Sequence, residues 1–295
     1  MAEHRAGYVA IIGRPNVGKS TLLNALVGTK VAAVSPKPQT TRNRIVGVRN
    51  VPGAQLVFFD TPGIHDARSL INRRMVEVAR ETLGEADVIV LVLDGSAGMT
   101  APDEQLSATA AGLGRTTIVV LNKLDRIRPS ALLPMMDALG RALPGRDFIP
   151  ISARRGDGVD GLLEKIVVAL PENPPFYPEE QYTAESERFL VQEMVREQLF
   201  QQMDQEVPYG TAVVVDEYSE KPERNVLLVK ATILVDRPSH KGIVIGAGGQ
   251  RLKEVGRKAR LEIEKLFGVK VFLELFVRVE PGWAENPRRL RELGL

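Results

Sequence analysis

The run from Gly13 to Ser20 has the residue types and the spacing of a phosphate-binding loop. A polyphosphate carries several negative charges that water solvates well, so a protein that binds it must offer many fixed donors at once. Glycines let backbone N–H groups converge on the phosphate oxygens, and the N-terminus of a following helix adds partial positive charge. We therefore expect Lys19 to reach the terminal phosphates and Ser20 to hold a magnesium ion. The residues predicted to contact the ligand are Gly13, Arg14, Pro15, Asn16, Val17, Gly18, Lys19, Ser20 and Thr21.

Residues 31–43 are rich in Pro, Thr and basic side chains and lack helical or strand periodicity, which indicates a mobile loop. The loop contains Thr40 and Thr41. A threonine pair in a loop is by itself more often solvated or used for capping. A hydroxyl here could instead ligate magnesium when a terminal phosphate draws the loop inward. We expect Thr41 to be that ligand.

A second loop follows the predicted strand 55–59 and begins at Asp60. An aspartate at the carboxyl end of a central strand is well placed to hold magnesium, and the backbone N–H of Gly63 could sense the terminal phosphate. Placed after a phosphate loop, this stretch becomes the second half of a nucleotide switch. The residues assigned to the nucleotide here are Asp60, Thr61, Pro62, Gly63 and Ile64. Lys19, Thr41 and Gly63 are the predicted catalytic residues, and Ser20, Thr41 and Asp60 the predicted metal ligands.

Two later loops point to guanine as the base. The apolar run 116–121 leads to Asn122, Lys123 and Asp125. A carboxylate at Asp125 can accept from both the ring N–H and the exocyclic amine of guanine, which adenine does not offer in that arrangement. Residues 148–151 lead to Ser152, Ala153 and Arg154, where a backbone N–H could hold the guanine carbonyl.

The elements that position these loops alternate between apolar strands and amphipathic helices, which predicts a mainly parallel sheet wrapped by helices. At 295 residues the chain is long enough for two domains. It has no cysteine, so disulfides and Cys-based metal sites are excluded. Its net charge is +2. No apolar run approaches the ~18 residues needed to span a bilayer. We expect a cytoplasmic protein.

Taken together, these motifs resemble those of a GTPase domain, which implies GTP and GDP binding and GTP hydrolysis with Mg²⁺. Ras-like GTPases place a glutamine after the glycine of the second switch to orient water, whereas this chain has Ile64 there. We therefore expect slow turnover that a partner or a cation raises. Asn16 resembles the asparagine that supports potassium in potassium-stimulated bacterial GTPases, so K⁺ is the first candidate.

The second half begins after a proline-rich stretch. We predict a GTPase domain over 1–172, a semi-rigid linker over 173–184, a second domain over 185–281 and a tail over 282–295. Within the second domain, the stretch from Lys241 to Arg260 contains six basic residues, one acidic residue and a G-x-x-G loop. Such a patch suits the clamping of a single-stranded backbone. We expect Trp283 to anchor the tail to a core.

The order helix, strand, strand, helix, helix, strand resembles a smaller α+β domain of the KH type II class. KH clamps often carry Lys or Arg between the glycines, whereas this chain has Ala247 and Gly248. Some of the phosphate affinity must then come from neighbouring basic residues. The predicted RNA-binding residues are Lys241, Gly246, Ala247, Gly248, Gly249, Arg251 and Lys253.

The whole chain resembles the bacterial Era family. That resemblance implies binding of single-stranded RNA near the end of 16S ribosomal RNA, a role in 30S subunit assembly and peripheral association with the inner face of the cell membrane. Nothing in the sequence demands more than a monomer.

Three alternatives are open on the sequence. One is a GTPase of tRNA modification or large-subunit assembly, whose relatives carry an extra N-terminal domain, a C-terminal Cys or a second GTPase domain that this chain lacks. Another is a membrane-associated signalling GTPase whose basic patch binds anionic lipid. The third is a nucleotide-locked RNA-binding module without turnover, suggested by Ile64.

Overall fold

The structure is a computed structural model that describes residues 4–63, 69–143, 145–146, 148–204, 206–221, 223 and 225–295. The chain divides into two compact units. Among the described residues, the first unit holds 4–32, 41–63 and 75–184, and the second holds 33–40, 69–74 and 185–295.

Six strands form the sheet of the first unit, in the order β2-β3-β1-β4-β5-β6. They are β1 Arg5–Ile12, β2 Ile45–Val51, β3 Ala54–Asp60, β4 Val88–Asp94, β5 Thr116–Asn122 and β6 Phe148–Pro150. Only the β2–β3 pair is antiparallel among these strands, and all other pairs are parallel. The predicted mostly parallel sheet is therefore confirmed. Because parallel strands share a direction, the loops after β1, β4, β5 and β6 meet at one edge.

Helices connect these strands and cover the sheet. They are α1 Lys19–Val27, α2 Leu70–Glu85, α3 Ala101–Gly112, α4 Pro129–Ala142 and α5 Val159–Ala169. The apolar run 88–93 in β4 is almost fully buried, as expected of a strand covered on both faces. This central strand gives the site a rigid base.

The proline-rich segment 173–184 lies along the first unit. The ring of Phe176 stacks on Tyr8, with centroids 5.0 Å apart. The buried Gln55 accepts the backbone N–H groups of Phe176 and Tyr177 at 2.7 and 2.9 Å. The hydroxyl of Thr183 donates to the carbonyl of Val46. Since side chains and backbone both hold it, this segment is part of the first unit's packing.

The second unit contains a three-stranded sheet with the order β7-β8-β9. Its elements are α6 Glu187–Gln202, β7 Thr211–Lys221, β8 Val226–Val235, α7 Pro238–Ile245, α8 Gln250–Phe267, β9 Lys270–Val279 and α9 Pro287–Glu292. β7 and β8 are antiparallel, and β8 and β9 are parallel. This is the predicted element order. No helix in the described part of the chain is both long and apolar enough to cross a membrane.

The C-terminal tail is anchored by Trp283, which is 1% exposed. Its ring packs in a cluster with Ala212, Leu234 and Leu290, and its Nε1–H donates to the carbonyl of Gly210 at 3.2 Å. The tail is thus packed into the second unit, as expected.

Candidate nucleotide site and RNA surface

The phosphate-binding loop joins β1 to α1 in a conformation that requires glycine at two positions. Gly13 has φ +155°, and a Cβ there would lie 2.5 Å from the carbonyl oxygen of Val92. Gly18 has φ +100° and precedes the first residue of α1, and a Cβ there would overlap the Asn122 side chain. Since neither position has room for a side chain, the loop backbone stays close to its neighbours and its N–H groups are available to an anion.

Lys19 lies at the centre of this loop. Its side chain is buried, and its Nζ donates to the carbonyls of Gly13 at 2.9 Å and Arg14 at 3.2 Å. Burial lowers the pKa of Lys19 below its ordinary value, although the negative charge of Asp60 opposes that shift. The amine is therefore held where the loop's donors converge.

Three predicted metal ligands meet beside this lysine. The Ser20 Oγ lies 2.6 Å from Asp60 Oδ2 and 2.8 Å from Thr41 Oγ1. The Thr41 Oγ1 lies 3.2 Å from the same carboxylate oxygen. One carboxylate and two hydroxyls are the hard oxygen donors that Mg²⁺ prefers. The residues present therefore fit a magnesium ion.

The two threonines of the first loop have different surroundings. Thr41 joins the oxygen cluster, whereas the hydroxyl of Thr40 contacts Ser35 Oγ at 2.7 Å and the Lys37 carbonyl at 2.8 Å. Spacing alone could not separate them, because only the path of the loop decides which hydroxyl faces Asp60.

The second switch loop starts beside the phosphate loop. Thr61 donates to the carbonyl of Ile11 at 3.1 Å. A Cβ added at Gly63 would lie 3.0 Å from Pro15, so this glycine packs directly against the phosphate loop. Pro62 lies between them in the described backbone, whereas Ile64 lies outside the described residues.

The predicted guanine-binding residues are linked by hydrogen bonds. The buried Asn122 donates from Nδ2 to the Val17 carbonyl at 2.8 Å and accepts at Oδ1 from the Ala153 N–H at 3.0 Å. The Ser152 hydroxyl donates to Asp125 Oδ1 at 2.8 Å. That bond is the main reason why the pKa of Asp125 lies below its ordinary value. Asp125 is thus an oriented, ionised acceptor.

Arg154 is placed differently from its two neighbours. Its side chain is exposed, while Ser152 and Ala153 are buried in the loop that contacts Asn122. A role for Arg154 would therefore come from its backbone.

Two acidic residues at this edge were not singled out from the sequence. Asp94, at the end of β4, accepts from Lys123 Nζ at 2.6 Å, and the same Nζ donates to the Asn16 carbonyl at 2.6 Å. Asp103 is fully buried and forms an ion pair with Arg14 at 3.0 Å. The position of Asp94 at the end of an apolar strand was an available signal, because the neighbouring strands β1 and β5 lead into the phosphate and guanine loops at the same edge of the sheet.

The G-x-x-G loop lies between α7 and α8. Gly246, Gly248 and Gly249 have φ values of +72°, +55° and +77°. A Cβ at Gly246 would lie 2.7 Å from the Cβ of Arg251, whereas one at Gly248 or Gly249 would meet open space. The outer part of the loop, with the exposed Ala247, is therefore accessible to a ligand.

Basic side chains flank this loop. Lys241, Arg251 and Lys253 are exposed, and Arg251 donates to the Ile243 carbonyl at 3.1 Å. Farther along α8, Arg257 pairs with Glu254 at 2.8 Å, and this hydrogen bond is the main cause that lowers the pKa of Glu254 to about 2. Arg251 is thus held against α7 next to the G-x-x-G loop, and the other predicted basic residues are exposed.

The two units together define a class: a phosphate-loop GTPase with guanine selectivity, followed by a KH domain. A family model described as "50S ribosome-binding GTPase" matches residues 8–123, and one described as "KH domain" matches residues 206–284. GTPase Era of Geobacter metallireducens is 48% identical over 98% of this chain and 97% of its own length. GTPase Era of Syntrophus aciditrophicus is 46% identical over 98% of this chain and 95% of its own length. The chain belongs to the Era family of GTPases.

Two solved structures are similar to the whole chain. One is Era in complex with MgGDPNP and nucleotides 1506–1542 of 16S ribosomal RNA, with a TM-score of 0.94 and 43% identity, covering 99% of both chains. The other is a variant of Aquifex aeolicus Era bound to GDP and AlF4⁻, with the same TM-score and identity, covering 98% of this chain and 99% of that one.

Proposed function

We propose that this protein binds and hydrolyses GTP, binds the 3′ region of 16S ribosomal RNA through its KH domain, and acts in assembly of the 30S subunit. The observation that carries the proposal is the match of the whole chain to an Era structure that holds both MgGDPNP and 16S ribosomal RNA. This match favours small-subunit RNA over the large-subunit alternative, because the RNA in that Era structure is 16S ribosomal RNA.

Magnesium in the oxygen cluster would be held by Ser20, Thr41 and Asp60, whose oxygens lie 2.6 to 3.2 Å apart. Bound there, the ion would supply positive charge that stabilises the negative charge developing during phosphoryl transfer. Lys19 would add positive charge from the loop, and the Gly63 N–H would donate to the terminal phosphate. These residues position the triphosphate. Ile64 has an alkyl side chain that cannot orient the attacking water. Another group must do so, and intrinsic turnover is therefore slow.

Guanine is selected by Asp125, which accepts from the two N–H groups on one edge of the base. Asn122 supports this loop by tying it to the phosphate loop and to Ala153. A backbone N–H of the loop 152–154 would donate to the opposite, carbonyl edge of the base. Adenine lacks the paired donors that Asp125 requires.

RNA binds at the G-x-x-G loop, where the open space at Gly248 and Gly249 lets a sugar-phosphate backbone approach closely. Lys241, Arg251 and Lys253 supply positive charge, because the loop itself carries none. The affinity therefore falls with rising salt.

Nucleotide state is passed to the RNA-binding unit through residues 33–40, which pack within that unit. The Arg196 guanidinium donates to the carbonyl of Thr40. Glu197 accepts the Val34 N–H at 3.2 Å, and Gln201 donates to the Val34 carbonyl at 3.0 Å. Thr41 comes next in the chain and belongs to the magnesium cluster. Movement of Thr41 toward a magnesium–GTP complex would therefore displace the segment 33–40, which is hydrogen-bonded to α6.

The contact between α6 and the segment 33–40 is tested with Arg196→Met, which keeps the aliphatic part of the side chain and removes the guanidinium. We expect the ratio of RNA affinities with GTP analogue and with GDP to shift toward one, while Gln202→Ala, on the same helix, serves as the control. An unchanged ratio in the Arg196 variant would remove this step from the mechanism.

The same resemblance supports two smaller proposals. Asn16, with φ +65°, takes part in K⁺-stimulated hydrolysis, and equal rates in sodium and potassium buffers would contradict this. The protein is a cytoplasmic monomer that associates peripherally with the membrane, which co-pelleting with anionic vesicles tests.

The proposed function is tested on the full chain by multiple-turnover phosphate release and by RNA binding. Lys19→Ala is expected to abolish phosphate release. Gly248→Asp places a negative charge in the open loop and should weaken RNA binding at least tenfold, whereas Gly248→Asn has nearly the same shape without the charge and should retain most of it. No turnover in the wild type, or equal RNA affinity in both variants, would refute the respective half of the proposal.

A further inference from the structure

The carboxylate of Asp94 contacts two different elements with its two oxygens. Oδ1 accepts the backbone N–H of Ser96 at 2.9 Å and its hydroxyl at 2.6 Å, which closes the turn after β4. Oδ2 accepts from Lys123 Nζ at 2.6 Å. One oxygen therefore holds the turn, and the other holds a residue of the guanine loop.

Lys123 connects the guanine loop with the phosphate loop. Its Nζ donates to the Asn16 carbonyl at 2.6 Å, and its backbone immediately precedes the short helical turn Leu124–Arg126 that carries Asp125. Both Lys123 and Asn16 have left-handed backbones, with φ +69° and +65°. Non-glycine residues adopt this conformation at a cost, so surrounding contacts must hold it.

The ion pair is largely shielded from water. The side chain of Lys123 is 19% exposed and that of Asp94 is 13% exposed. Burial acts to raise the pKa of Asp94, but the hydrogen bonds from Lys123 and Ser96 outweigh it, so the pKa lies below its ordinary value. An ionised, partly buried acceptor restricts the ammonium group more strongly than an exposed one would.

We propose that Asp94 is a positioning residue for guanine nucleotides: it holds the Lys123 ammonium against the Asn16 carbonyl and so locks the guanine loop to the phosphate loop. This inference rests on the proposed GTP site. Without the carboxylate, Lys123 keeps one carbonyl partner and its side chain samples other rotamers. The two loops then hold the base and the phosphates less rigidly, and nucleotide leaves sooner.

The test measures dissociation of a fluorescent GDP analogue from the full-length protein. Asp94→Asn removes the charge at constant size. It should speed dissociation on the order of tenfold, which corresponds to the loss of a weak hydrogen bond to a charged group. Asp94→Glu, which restores a carboxylate, should recover most of the wild-type rate. Ser96→Ala removes one hydrogen bond of the turn but leaves Oδ2 on Lys123, and should stay within about twofold of wild type.

A double-mutant cycle separates positioning through Lys123 from a purely structural role. If Asp94 acts through Lys123, the variant that combines Asp94→Asn with Lys123→Met releases GDP no faster than Lys123→Met alone. Multiplied effects, an unaffected Asp94→Asn, or a Ser96→Ala variant as fast as Asp94→Asn would overturn the inference. Phosphate release by the wild type, measured in the same series, tests the proposed GTPase independently.

Discussion

Replacing Asp125 with Asn should change the base that the protein selects. The carboxylate accepts from two N–H groups of guanine, and hydrogen bonds to a charged group contribute about 1.5–3 kcal/mol each. Asparagine keeps a neutral acceptor for the ring N–H but sets its NH₂ against the exocyclic amine of guanine. Loss of one charged hydrogen bond and weakening of the other corresponds to about 2.5–4.5 kcal/mol, or roughly seventyfold to two-thousandfold weaker GDP binding. Xanthine carries a carbonyl in place of the exocyclic amine, so the asparagine NH₂ can donate to it while Oδ1 still accepts the ring N–H.

The fold should tolerate this change, because the Ser152 hydroxyl, now 2.8 Å from Asp125 Oδ1, can donate equally to an amide oxygen. Competition of GDP and XDP against a fluorescent nucleotide measures both affinities. We expect Asp125→Asn to lose GDP and gain XDP, whereas Ser152→Ala keeps the GDP preference with a loss of about fivefold. Equal weakening of both nucleotides by Asp125→Asn would refute the assignment of this residue to the base.

The tail, the acid stability and the metal site can be tested in the same way. Trp283→Ala empties a buried site and should lower the free energy of unfolding by about 3–5 kcal/mol, measured by urea denaturation; a change below about 1 kcal/mol would contradict the anchoring role. The folded-state pKa of Asp94 is depressed, so its stabilisation is complete above the ordinary pKa of about 3.9 and is lost as pH falls through the folded value. The difference in unfolding free energy between wild type and Asp94→Asn should therefore shrink below that range, and a constant difference would argue against it. EDTA should speed GDP dissociation in the wild type but have little further effect on Ser20→Ala; an equal response in both would exclude Ser20 as a ligand.

Much of the nucleotide site could be predicted because each motif is local. The glycines of the phosphate loop, the Asp60 turn and the guanine loop each follow a strand whose apolar run is visible in the sequence. Parallel strands then bring their ends together, so Ser20 and Asp60 meet although they are distant in the chain. The parallel sheet and the order of helices and strands in the second domain were predicted from the spacing of apolar residues.

Other features depend on tertiary packing and could not be predicted. The spacing of apolar residues in α6 indicates one buried face, yet Glu193, Arg196 and Glu197 are buried as well. Their partners include each other and the segment 33–40, whose position no periodicity reveals. The contact between Asp94 and Lys123 was likewise not predicted. The position of Asp94 at the end of an apolar strand places it at the edge of the site but does not identify its partner.

The packing of 173–184 shows a similar limit. Its prolines indicate that a helix cannot continue, but they do not say what the segment contacts. Gln55, a fully buried polar residue in β3, supplies the acceptor that orders it.

In the proposed function, one chain couples guanine nucleotide state to RNA binding. The most direct measurement is the affinity of the full-length protein for a labelled single-stranded RNA from the 3′ end of small-subunit ribosomal RNA, with a GTP analogue, with GDP and without nucleotide. We predict the tightest binding with the GTP analogue. Identical affinity in all three conditions would contradict the coupling and leave the GTPase and the KH domain as independent activities.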